Sequence, residues 1–106
     1  MLNQKAILKN RKVFSKIDKN MAAAFKVLSD VNRYRIFRLL VEQPELTVGD
    51  IAHILKISLP LASQHIKILE HANLLQKERA GKKIFPKLKH GNPFVQAVIT
   101  TIKQTQ

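Results

Sequence analysis

The chain has 106 residues, 45% of them hydrophobic, and nineteen Lys and Arg against seven Asp and Glu give a formal net charge of +12. That length suits one domain with a modest core, and the absence of cysteine excludes disulfides, thiolate metal sites and thiol redox switches. No apolar run approaches the roughly 18 residues of a membrane span and no secretory core follows the first lysine, so the expectation is a cytoplasmic protein with a polyanionic partner.

Met1 to about Asn10 is polar and basic, either a frayed arm or an early helical turn. From about Arg11 to Leu28, the residues Phe14, Ile17, Met21, Ala24, Phe25 and Leu28 recur three and four apart, with Lys12, Lys16, Lys19 and Lys26 mostly off that stripe. This predicts an amphipathic helix, uninterrupted by Pro or Gly, whose apolar face packs on the domain or on a second copy of the chain. Its length, outside the compact core, favours the second copy. Ser29 and Asp30 offer an N-cap for a second helix from Val31 to about Glu42, with Tyr34, Phe37, Leu40 and Val41 as its core face and Pro44 as its stop.

Thr47 and Asp50 have capping-box spacing, and Val48, Ile51, Ala52 and Leu55 then form one buried face. Lys56, Ile57 and Ser58 break the pattern. Ser58 can cap, and Pro60 is tolerated in a first turn, so a further helix is predicted from about Leu59 to about His71. Ala62, Ile66 and Leu69 point inward in this reading, and Gln64, His65 and Lys67 outward. Two short helices meeting through a brief turn form a helix-turn-helix, whose second member is expected to enter a DNA major groove.

Asn73 predicts a left-handed stop. Leu74 to Arg79 and Lys83 to Leu88 read as short strands joined at Ala80-Gly81, with Leu75, Ile84 and Leu88 toward the core and Pro86 confined to an edge. Asn92 caps and Pro93 opens a last helix, with Phe94 or Val95, Val98, Ile99 and Ile102 on one side and Lys103 as its one charge. The predicted order is four helices, a hairpin and a helix, a mainly α fold with a small β-hairpin. It forms a single domain over 1–106, with an N-terminal arm and dimerisation helix (1–28), a DNA-binding core and wing (29–90) and a C-terminal dimerisation helix (91–106).

Residues 1–20 and residues 74–90 each carry six basic side chains and one acidic, whereas Glu45 to Asn73 carries two basic and three acidic. Charge therefore lies beside the helix pair, which suits flanks that hold phosphate around a helix that reads bases.

The segment from Leu28 to Leu40, LSDVNRYRIFRLL, resembles the entry helix of ArsR-like winged-helix repressors. Ile51-Ala52 followed by Ser58 to Leu69, SLPLASQHIKIL, is similar to that family's helix-turn-helix signature. Asn73-Leu74-Leu75 and Arg79 to Lys83 are similar to its wing. The likeness spans roughly Leu28 to Leu88. It implies a winged helix-turn-helix homodimer that represses transcription from an operator of imperfect two-fold symmetry, with no membrane partner and no enzymatic role. Its dimer interface would use Phe14, Ile17, Met21, Phe25, Phe94, Val95, Val98, Ile99 and Ile102. The cysteine pair that the family places near the start of the third helix is replaced here by Val48, Gly49 and Asp50, and the last helix lacks the Asp and His of the family's second metal site. No metal or other cofactor is therefore expected at either place.

The candidate DNA contacts are Ser58, Leu59, Leu61, Ser63, Gln64, His65, Lys67, Arg79, Lys82 and Lys83. Gln64 suits adenine, Ser58 and Ser63 suit phosphate or base edges, and the wing lysines suit phosphate or the minor groove. Leu59 and Leu61 stand where relatives place polar residues, and either touch thymine methyls or pack against neighbouring elements. Arg33 and Arg38 are further cations within reach. His53, His71 and His90 lack the three- or four-residue spacing of paired ligands and read as surface or hydrogen-bonded histidines. No nucleophile motif, phosphate loop or carboxylate pair suggests an enzyme. The alternative reading is a protein-interaction module on the same scaffold, favoured by Leu59 and Leu61.

Overall fold

The computed structural model describes all residues from Met1 to Gln106. Six helices and one hairpin follow in the order α1 (Gln4–Arg11), α2 (Lys16–Leu28), α3 (Val31–Glu42), α4 (Val48–Leu55), α5 (Leu59–His71), β1 (Leu75–Ala80), β2 (Lys83–Leu88) and α6 (Pro93–Gln104). This is the expected winged helix-turn-helix with one more helix at its start.

The single helix expected from Arg11 to Leu28 is in fact interrupted at Lys12–Ser15. Ser15 takes over as a cap, because its Oγ accepts the Ile17 N–H at 3.2 Å while the Asp18 carboxylate accepts the Ser15 N–H at 2.7 Å. A serine that bonds its own neighbouring backbone competes with helix continuation. The residues before the break form α1, capped by Asn3, whose Oδ1 accepts the Ala6 N–H at 2.9 Å. α1 buries no residue, and the molecule is elongated, with extents of 60 × 28 × 24 Å.

Thirteen buried residues form the core, contributed by α2 (Ala24), α3, α4, α5, the hairpin and α6. Asp30 caps α3 through its Oδ2, which accepts the Arg33 N–H at 3.0 Å. Phe37 and Leu40 are buried as expected and Ile36 joins them, so α3 turns a broader face inward than its spacing suggested. Asn73 adopts the left-handed conformation at φ 66°, and the Leu74 N–H returns to the Leu69 carbonyl at 3.0 Å. That bond ends α5 and aims β1 away from it.

The strands pair antiparallel, from Leu75 opposite Leu88 to Ala80 opposite Lys83. The turn is therefore Gly81-Lys82, one residue later than expected, and Gly81 supplies its positive φ of 63°. Only Leu75 of β1 is buried, so the hairpin stands away from the body as a wing anchored at its base.

α6 corrects part of the expected dimer interface. Val95, Ile99 and Ile102 lie in the protomer's own core and are not free for a partner. α6 folds back over the body, and these three residues form its inner stripe. Phe94 and Val98, on the adjacent stripe, are half-buried, and Phe94 meets Phe25 edge-on at 4.9 Å between ring centroids. Phe14, Ile17, Met21 and Phe25 stay exposed along α2 and the turn before it.

Candidate nucleic-acid interface

The α4–α5 turn sets the geometry of the exposed face. Thr47 and Asp50 close the start of α4 reciprocally: the Thr47 N–H donates to Asp50 Oδ2 at 2.9 Å and the Asp50 N–H to Thr47 Oγ1 at 3.1 Å. The Thr47 N–H holds the Asp50 carboxyl below the usual carboxylate range, and the charge of Lys83 pulls the same way. At its other end α4 stops on Lys56, in the left-handed conformation at φ 57°, and the Ile57 N–H reaches back to the Ala52 carbonyl at 3.1 Å. Ser58 Oγ then accepts the Leu61 N–H at 3.2 Å, and α5 begins at once.

Ser58, Leu59, Leu61, Ser63, Gln64 and Lys67 all lie exposed on α5 or at its cap. Leu59 is 55% exposed and Leu61 38%, so each leucine keeps part of its side chain at the surface.

His65 departs from expectation. It is buried, on the same side of α5 as Ala62, Ile66 and Leu69, and it does not share the exposed face. Its Nδ1 lies 3.4 Å from a guanidinium nitrogen of Arg33, whose Nε also donates to the Val27 carbonyl at 2.8 Å. Arg33 therefore binds the end of α2 and the inner side of α5, which removes it as a free cation. Its N–H holds the Asp30 carboxyl below the usual range against an opposing effect of burial, and its charge adds to the lowering. The periodicity did contain the signal, because residues 62, 65, 66 and 69 are a three–four repeat. The chemistry of histidine argued the other way.

The six cations of the hairpin region divide into two sets. Lys77 pairs with Glu70 at 3.3 Å, Lys87 pairs with Glu45 at 2.8 Å and donates to the Pro44 carbonyl, and Lys89 donates to Asn73 Oδ1. These three tie the wing to the body. Arg79, Lys82 and Lys83 are exposed near the wing tip and form no ion pair. A cleft of about 490 Å³ opens between the wing, α5 and the start of α4, lined by Leu59, Ser63, Asp50, Lys82 and Lys83 among others. Hydrogen-bonding side chains, Leu59 and unpaired cations thus share one surface, with the chemistry to meet base edges in a groove and phosphates beside it. No three His, Asp or Glu side chains come together as a metal-binding group, and no helix is long and apolar enough to cross a membrane.

The sequence model described as bacterial regulatory protein, arsR family, matches residues 30–77, from the cap of α3 into β1. The chain is 38% identical over 65 residues to the transcriptional repressor SdpR of Bacillus subtilis, a match covering 61% of this chain and 71% of that protein. It is 35% identical over 66 residues to the cadmium resistance transcriptional regulatory protein CadC of Listeria innocua, covering 62% of this chain and 56% of CadC. The match thus spans little more than half of CadC. In fold, the chain is similar to a homodimeric winged helix-turn-helix DNA-binding domain from Mycobacterium bovis, a possible ArsR-family transcriptional regulator. The TM-score is 0.69, over 99% of this chain and 86% of that one at 21% identity. By its match to the family model and its 38% identity to SdpR over 71% of that protein, the chain belongs to the arsR family of bacterial regulatory proteins.

Proposed function

We propose that this chain is a homodimeric, sequence-specific DNA-binding repressor of transcription that recognises an operator of imperfect two-fold symmetry. The observation that carries the reading is the exposed row of Ser58, Ser63, Gln64 and Lys67 on α5 beside the unpaired Arg79, Lys82 and Lys83 of the wing. α5 lies in the major groove, where Gln64 pairs with the N6 and N7 edge of adenine and the two serines reach base edges or phosphate. The wing cations neutralise adjacent phosphates.

Dimerisation uses Phe14, Ile17, Met21 and Phe25 together with Phe94 and Val98. The exposure of the first four, and an apolar groove of about 630 Å³ that includes Met21, Phe25, Phe94 and Val98, support this. The homodimeric state of the Mycobacterium bovis domain and the repressor name of SdpR point the same way. Two α5 helices about 34–36 Å apart would read half-sites one helical turn apart. Although CadC is named for cadmium resistance, this chain has no cysteine, and α6 has no His, Asp or Glu. Its DNA affinity is therefore independent of metal at the two places where the family resemblance would put a sensor.

Selection of bound sites from random duplex DNA, with and without added zinc, tests the reading. Symmetric sites unaffected by metal are expected, with affinity falling as salt rises by a log–log slope of about −0.9 per phosphate neutralised. Absence of binding to any duplex would refute it. The exposed Leu59 and Leu61 favour a second reading, in which the same face docks a protein. Reversal of charge at Lys82 and Lys83 separates the two, since it weakens DNA binding and leaves a leucine-centred protein contact nearly unchanged.

A further inference from the structure

The leading turn of α5 is an unusual surface for so basic a chain. It begins Leu59-Pro60-Leu61, and all three residues reach the surface, Leu59 with 55% of its area exposed and Leu61 with 38%. Leu59 shares a cleft with Ser63, Lys82 and Lys83, and Ser58, Gln64, Lys56 and Lys67 are exposed at neighbouring positions of the turn and of α5. Exposed leucines beside unpaired cations select a partner that offers apolar groups next to anionic ones. The major groove of duplex DNA does so: phosphates line both margins, and the thymine C5-methyl is the apolar group offered on its base edges. A protein partner would instead need an apolar projection beside acidic groups.

The positions of the two leucines add a second constraint. Two residues apart on a helix, they lie about 200° apart around its axis. Leu59 faces the cleft shared with the wing, and Leu61 faces the other flank. At the first turn of a helix entering a groove end-on, opposite flanks address different base pairs.

We propose that Leu59 and Leu61 are specificity-determining residues that read thymine methyl groups, so that each half-site carries thymine at positions addressed by the first turn of α5. The proposal rests on the DNA-binding reading above and names what part of the site is recognised. Ser63 and Gln64, one turn further along, supply the polar part of the readout. Leu59 and Leu61 supply discrimination that depends on a methyl group alone.

Deoxyuridine is the direct probe, because it keeps every hydrogen bond of thymine and lacks only the methyl group. The full-length chain is titrated by fluorescence anisotropy, at fixed salt, against duplexes carrying a site obtained from random-sequence selection. In these duplexes the thymines of each half-site are replaced by deoxyuridine one position at a time. Replacement at one or two positions per half-site is expected to weaken binding about fourfold per methyl, and about fifteenfold when both half-sites of a dimer are changed, the worth of one buried carbon each. Leu59→Ala and Leu61→Ala, both at exposed positions, should each bind the thymine and deoxyuridine duplexes equally at one of those positions. Equal binding of all substituted duplexes by the unmodified chain overturns the proposal while leaving the DNA-binding reading intact. So does a selected half-site without thymine, or retained discrimination in both leucine variants. Failure to bind any duplex overturns both together.

Discussion

Arg33 is the side chain through which three helices hold one another, and its removal tests how α5 is oriented. Its Nε donates to the Val27 carbonyl near the end of α2 at 2.8 Å, a second guanidinium nitrogen lies 3.4 Å from His65 Nδ1 on α5, and its backbone N–H is capped by Asp30. Arginine only donates, so His65 Nδ1 is the acceptor in this contact. Arg33→Ala removes one charge-assisted bond to a carbonyl, worth about 1.5–3 kcal/mol, and leaves a buried imidazole nitrogen without its partner. The guanidinium is only half-buried and its contact with His65 is long, so the combined loss is set at about 2–3 kcal/mol. For a chain of this size that lowers Tm by roughly 10–15 °C. Arg33→Lys keeps a point charge that reaches one partner at a time and should recover about half of the loss. Urea unfolding followed by circular dichroism, at one protein concentration, is measured for the wild type, Arg33→Ala, His65→Ala and the double variant. The cycle should return a coupling of about 0.5–1 kcal/mol. An Arg33→Ala variant within about 0.5 kcal/mol of wild type, or zero coupling, would show that Ala62, Ile66 and Leu69 alone seat α5.

The revised division of α6 predicts opposite phenotypes for two apolar substitutions. Val95→Ala, at a fully buried site, should lower unfolding free energy by about 2 kcal/mol, whereas Ile17→Asp, at a site 67% exposed, should leave helix content unchanged and shift sedimentation from dimer to monomer. Acid sensitivity follows from the two aspartate caps. The Asp30 and Asp50 carboxyls both titrate below their ordinary value, each chiefly through the backbone N–H that it accepts. The stability they add is complete above the unfolded-state pKa of about 4 and is lost as pH falls through the lowered folded-state values. A double Asp30→Asn, Asp50→Asn variant keeps the capping geometry without the titration. Its urea midpoint should therefore fall less than that of wild type between about pH 5 and pH 2, and parallel profiles would remove the caps as the cause.

Local signals carried most of the architecture because they act within one turn of chain. The Thr47–Asp50 box, Ser58 before Pro60, Asn73 and Asn92-Pro93 each mark a boundary within a residue of where the structure has it. Three features escaped because each depends on a competition between signals. Ser15 ends a helical stripe that hydrophobic spacing carries straight through. His65 has a core position and a polar ring, and only Arg33, 32 residues away, gives that ring a buried partner. α6 carries two apolar stripes one residue apart, Phe94 with Val98 and Val95 with Ile99 and Ile102. Sequence spacing cannot say which stripe its own body will cover.

Net charge overstates the number of cations that the wing offers to DNA. The hairpin region carries six cations, but Lys77, Lys87 and Lys89 have acceptors on the protein, and two of those acceptors are carboxylates. To meet phosphate, these side chains must first leave partners that fix the wing to α5 and to the loop before α4. Arg79, Lys82 and Lys83 have no ion pair to break. The wing should therefore neutralise about three phosphates per protomer, contributing about −2.7 to the log–log salt slope, and not the value near −5 that a count of all six would give. Lys82→Gln and Lys83→Gln should each flatten the slope of the dimer by about 1.8 with no change in unfolding free energy. Lys87→Gln should leave the slope nearly unchanged and lower stability, since it breaks both the Glu45 pair and the bond to Pro44. Equal flattening by Lys82→Gln and Lys87→Gln would mean that the wing leaves the body when it binds, and that its pairs with Glu70 and Glu45 do not hold it in the complex.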